Sequence, residues 1–124
     1  MMRSFIAFLA LTAPACAQEL LAPSGLKMNL YEVILEEDIA LVRFRFEVPE
    51  IAGNALPFAE VADDMQAICD QSLLPGLKQS GWQDGQIIMQ LSAQQVEFGA
   101  TVPEITQYFQ PFTIGTDTCI WEDF

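Results

Sequence analysis

The stretch Leu30-Tyr31-Glu32-Val33-Ile34-Leu35-Glu36-Glu37-Asp38-Ile39-Ala40-Leu41-Val42-Arg43-Phe44-Arg45-Phe46-Glu47-Val48 decides the fold. From Ala40 to Val48 the pattern alternates as a half-buried strand does. Val42, Phe44, Phe46 and Val48 face one way, and Arg43, Arg45 and Glu47 the other. Upstream, Tyr31, Val33 and Leu35 alternate with Glu32 and Glu36, although Leu30 and Ile34 blur the polar face. Glu36 to Ile39 reads as the connection between the two strands. A hairpin centred between Glu37 and Asp38 pairs Tyr31 with Phe44 and Val33 with Val42, and sets Glu32 opposite Arg43. That register joins the two apolar faces and matches opposite charges, as cross-strand pairing favours.

Downstream, Pro49 to Leu56 reads as a loop carrying Gly53-Asn54, and Pro57 suits the first turn of a helix, where its missing N–H costs nothing. Phe58, Val61, Ala62, Met65, Ile68, Cys69 and Leu73 then recur at helical spacing. Glu60, Asp63, Asp64, Asp70 and Gln71 fill the opposite side. Pro75-Gly76 predicts the helix end near Leu74. Gln83-Asp84-Gly85 is a turn signal, and Gln86 to Ser92 a strand with Ile87, Met89 and Leu91 on one face. Gln95 to Phe98 reads as a further short strand. Thr101-Val102-Pro103-Glu104 resembles a capping box opening a short helix that Pro111 closes. Phe112 to Ile114 and Thr118 to Trp121 are predicted short strands around Gly115. Gln18 to Gly25 reads as a loose lead. The expected fold class is α+β: a mostly antiparallel sheet with one main helix packed on a face.

The first 17 residues read as an address. Arg3 supplies a cation, Phe5 to Thr12 (FIAFLALT) an uncharged apolar run, and Ala15-Cys16-Ala17 an A-x-A-like stop, the pattern of a secretory signal peptide. The run is far shorter than the roughly 20 residues of a spanning helix. The expected organisation is a signal peptide over 1–17 and a single small domain over 18–124, with no spanning segment after signal removal and a periplasmic or secreted location. A rival use of Cys16 is as a lipid anchor, although Ala13 stands where a Leu-like residue is usual and Pro14 intervenes.

Export gives the cysteines their meaning. With Cys16 in the leader, Cys69 and Cys119 remain, and two thiols in an oxidising compartment are expected to form one disulfide. The alternative is a pair of buried free thiols. Closing a loop of about 50 residues stabilises by about 4 kcal/mol in the chain-entropy model. No C-x-x-C supports a redox role.

The chain has 5 Lys+Arg, 17 Asp+Glu and a net charge of −12. Arg3 lies in the leader, so the remainder is more acidic still. Such a charge repels nucleic acid and anionic lipid, and favours cations or a basic or envelope protein as partner. The absence of histidine removes Ser-His-Asp and Cys-His mechanisms and His-containing zinc sites. No Gly-rich phosphate loop or D-x-D-x-D-G calcium loop is present, so no cofactor and no metal is expected. Asp63 and Asp64 are adjacent on the predicted helix and point about 100° apart, which does not make a facing acid–base pair. Glu36-Glu37-Asp38 reads as a charged hairpin tip. Arg43 and Arg45, two positions apart on one strand face, are the candidate binding face: a small fork for a carboxylate or other anion, or else partners of cross-strand acids. Trp82, Trp121, Tyr108, Phe109 and Phe112 read as core, with a pocket lining as the alternative.

Phe44-Arg45-Phe46 with Pro49-Glu50-Ile51, then Val96-Glu97-Phe98-Gly99, Pro103-Glu104, Thr106-Gln107-Tyr108-Phe109 and the ending Cys119-Ile120-Trp121-Glu122, resembles a small secreted family of unknown function from alphaproteobacteria. The resemblance covers most of the chain after the leader. It implies a periplasmic address and brings no established activity, catalytic residue or cofactor. The functional expectation is an exported, non-catalytic binding or accessory module of the cell envelope. The alternatives are an inhibitor of a basic secreted enzyme of lysozyme or protease type, and a carboxylate-dependent hydrolase.

Overall fold

A computed structural model describes residues 18–123. The expected signal peptide and Cys16 lie outside the described residues. Six strands form one sheet in chain order: β1 (Gln18–Leu21), β2 (Lys27–Glu36), β3 (Leu41–Glu47), β4 (Gln86–Ser92), β5 (Gln107–Ile114) and β6 (Cys119–Trp121). Every neighbouring pair is antiparallel except β3–β4, which is parallel. A parallel pair needs a long crossover, and here the crossover carries the helical segment. That segment comprises α1 (Phe58–Ile68), a π-helical turn (Cys69–Leu73) and α2 (Leu74–Gln79). The expected fold class, α+β with a mostly antiparallel sheet and one main helix, is the observed one. A disulfide joins Cys69 to Cys119.

The core lies between helix and sheet. Phe46, Val42, Ile87, Met89, Leu91 and Phe112 are fully buried on the sheet side, and Val61, Met65, Ile68 and Cys69 come from the helix. The strand over Gln86–Ser92 and the turn at Gly85 follow the sequence reading. Gly85 has φ +120°, and a Cβ there would sit 2.5 Å from the Ala40 carbonyl oxygen, so no side chain fits the turn that opens β4.

Several elements differ from the sequence reading. The β2–β3 register pairs Glu32 with Arg45, Val33 with Phe44 and Leu35 with Val42. The expected register is displaced because the connection is a one-turn 3-10 helix, Glu37–Ile39, ended by Ala40 at φ 51°; farther along the hairpin, an irregularity between Leu30 and Glu32 absorbs Tyr31. The helix does not stop at Pro75-Gly76. The Leu74 N–H reaches back five residues to the Cys69 carbonyl, and this wide turn precedes Pro75, which enters at the start of α2. There its missing N–H and its ring are tolerated.

Gln18–Leu21 is a strand, not a loose lead; it pairs with Lys27–Leu30 of β2. Gln95–Phe98 is not a strand. Its Val96 backbone is engaged by side chains instead, with the N–H directed at the Tyr31 hydroxyl at 3.4 Å and the carbonyl accepting from Arg45. Thr101–Pro111 holds no helix; Pro111 lies within β5. Pro111 accepts the Glu122 N–H through its carbonyl, so its absent N–H also falls on the short β6 side, where β6 pairs only Phe112–Ile114.

Candidate functional site

The two ends of the helix–sheet interface are built differently. At the β5–β6 end Cys119 is held three ways. Besides the disulfide, its N–H donates to the Asp70 carboxylate at 2.7 Å, and its carbonyl accepts from Gln66 Nε2 at 2.7 Å. Phe58 from the start of α1 meets Tyr108 and Trp121 edge-on, with ring centroids 5.7 and 6.1 Å apart, and Trp121 meets Phe112 at 5.4 Å. The Tyr108 hydroxyl donates to the Leu56 carbonyl at 2.8 Å.

At the other end, the last residues of the π-helical turn, Ser72 and Leu73, and α2 pass over β1, β2 and β3 and leave a cleft of about 350 Å³. Leu20, Leu30, Val33, Leu35, Val42 and Phe44 line it from the sheet. Leu73, Leu77 and Trp82 line it from the helix side, with Gln18, Ser72 and Ser80 as its polar contributors and no charged residue in its walls. Leu35 is 52% exposed, although it belongs to the apolar series of β2. The volume lies in the range of small-ligand sites, which are mostly apolar with a few polar groups. A π-turn inside a helix is a recurrent mark of functional sites, and here it supplies Ser72 and Leu73 to the wall. Chemically the cleft can take an uncharged apolar group and offers hydrogen bonds only at its margins.

Arg43 and Arg45 lie on the opposite face of β3. Arg45 is 1% exposed. Its Nε donates to Gln90 Oε1 at 2.9 Å, one terminal nitrogen to the Glu32 carboxylate, and the other to the Val96 carbonyl at 2.8 Å. Its guanidinium stands 5.2 Å from the Tyr31 ring centre and 5.5 Å from that of Phe98. Arg43 donates through Nε to Glu36 at 2.7 Å and also sits 5.5 Å from the Phe98 ring. The two guanidinium groups thus share one aromatic ring but not one environment: Arg45 fastens β2, β4 and the Val96 loop, and Arg43 remains partly exposed.

The carboxylates are dispersed among different tasks. Asp63 is exposed, but Asp64 is buried and accepts from the Ser24 N–H at 3.3 Å and Ser24 Oγ at 2.5 Å. Asp64 and Asp70, expected on the side opposite the apolar stripe, are not left to solvent: one anchors the β1–β2 turn and the other receives Cys119. Ser24 and Cys119 come from 40 and 49 positions away in the chain, so no local pattern marks these contacts. The cleft was equally hidden, since its lining reads as ordinary core. The one local trace is the run Leu30-Tyr31-Glu32-Val33-Ile34-Leu35, more apolar than a half-buried strand requires.

Among the described residues no helix is long and apolar enough to cross a membrane. No curated protein and no solved structure matches the chain. The profile of a family of unknown function (DUF6497) matches residues 6–124. With nearly the whole length covered, the chain belongs to that family of unknown function.

Proposed function

We propose that the protein is an exported, non-catalytic binding or accessory module of the cell envelope, and that the cleft under α2 is its binding element. The observation that carries this reading is the cleft itself: apolar walls, a half-exposed Leu35 and, in the roof, the last residues of a π-turn whose first residue, Cys69, bears the disulfide. Export is supported by the cation, apolar run and A-x-A-like stop within residues 1–17, and by the disulfide, a bond suited to an oxidising compartment.

Trp82 lines the cleft, so its fluorescence reports occupancy. Decyl glucoside, an uncharged apolar probe, should change the emission saturably below its micelle concentration. The change should vanish in Trp82→Phe and weaken strongly in Leu35→Asp. An unsaturable response, or one indifferent to Leu35→Asp, refutes the cleft as a binding element.

The acid excess favours a second reading, inhibition of a basic secreted enzyme of lysozyme or protease type. Such a complex should form at low salt and weaken as salt rises. If stoichiometric protein slows no such enzyme at low salt, that reading is lost.

A further inference from the structure

β1 covers only part of its neighbour. Its register runs from Gln18 opposite Leu30 to Leu21 opposite Lys27, and among the described residues no strand pairs with the outer edge of β2 from Tyr31 to Glu36. A strand edge of this kind presents alternate N–H and C=O groups outward. Two of its side chains, Val33 and Leu35, line the cleft. The unpaired edge and the apolar cleft are therefore one feature: backbone groups along a rim, with a pocket beneath every second position.

From this we propose that the protein binds an extended peptide segment of a basic partner by strand addition, the segment lying along Tyr31–Glu36 in line with β1 and lowering alternate apolar side chains into the cleft. The proposal rests on the cleft being the binding element and adds how it is used. Main-chain hydrogen bonds hold such a segment and pockets for alternate side chains select it. Charge selects the partner. Glu37 and Asp38 stand exposed at the end of the edge, and Glu19 is exposed on β1. Of the 17 acids, only Glu32 and Glu36 are in ion pairs among the described residues. A second copy of this chain would bring its own net charge of −12 to the same edge, whereas lysine or arginine between the apolar positions meets the acids.

The test uses the protein exported from cells expressing the full sequence and a blocked peptide of four lysine–valine repeats. Expected are saturable binding that weakens with salt, exchange of the outward-facing amides among Tyr31–Glu36 slowed about tenfold or more, and no binding of the glutamate–valine counterpart. Two further peptides, methylated at every valine nitrogen or at every lysine nitrogen, separate backbone from side-chain recognition, and at least one should bind about tenfold more weakly. Undiminished binding of both, or binding without protection at Tyr31–Glu36, overturns strand addition. If decyl glucoside fills the cleft while the peptide does not bind, strand addition falls and the cleft reading stands. If neither probe is taken, both fall. Protection of Tyr31–Glu36 through self-association, with the peptide ignored, overturns the proposal in favour of a second copy.

Discussion

The helix is bound covalently to β6 and packs mainly through apolar side chains over β1–β3. At the β6 end a covalent bond, two side-chain hydrogen bonds to one residue's backbone and an edge-on aromatic trio converge on a three-residue strand. At the β1–β3 end one polar tie, Asp64 to Ser24 of the β1–β2 turn, accompanies apolar contacts that are incomplete and leave a cleft. A small domain has limited core with which to stabilise itself. Here the covalent tie spares the opposite end from complete packing, and space remains there for a ligand.

The incompleteness is not softness. Behind the cleft, on the far face of the sheet, Arg45 bonds β2, β4 and the Val96 loop at once. The cleft floor is braced from behind; its roof is tied at Cys69 and Asp70, where the π-turn begins, while Ser72 to Gln79 carry no comparable tie among the described residues.

The largest expected effect comes from removing the staple. Reduction, or the Cys69→Ala/Cys119→Ala pair, should lower stability by about 4 kcal/mol, read as a reductant-dependent fall in the denaturant midpoint. Equal midpoints with and without reductant would break the contrast between the two ends. Next, Arg45→Ala leaves Gln90, Glu32 and the Val96 carbonyl without their common donor and should cost about 3 kcal/mol. It should also speed amide exchange in β2 and β4 while leaving β6 unchanged. Asp70→Ala removes the acceptor for the Cys119 N–H and should cost about 1–2 kcal/mol, with cleft binding retained. The smallest effect is that of Leu35→Asp. Exposed as it is, this site should change stability by no more than about 0.5 kcal/mol, yet decyl glucoside binding should weaken strongly. Such a split between stability and binding would sharpen the distinction, because the same change at the pinned end should move stability first.

Much of this framework is legible in the chain because its signals are local. Alternation marks β3 and β4, helical spacing marks Phe58 to Leu73, and the paired cysteines mark the staple. Local signals also misled where tertiary contacts compete with them. Thr101–Glu104 has the spacing of a capping box, but no helix follows; the chain runs on into β5, and Pro111 is accepted there because its missing N–H faces the short β6. Pro75 reads as a stop, but the wide turn before it lets the helix continue. The hairpin register turned on the 3-10 connection at Glu37–Ile39, which charge matching does not reveal, although the ion-pair logic survived with Glu32 meeting Arg45 in place of Arg43. The cleft was the least legible feature, since an apolar residue lining a space and one filling it have the same letter.

Methyl-resolved NMR of the exported protein titrated with decyl glucoside tests the central claim most directly. Saturable shifts confined to Leu20, Val33, Leu35, Leu73 and Leu77, with Ile114 and Ile120 at the pinned end unmoved, are the predicted result. Shifts centred on the α1–β6 end, or spread evenly through the core, would contradict it.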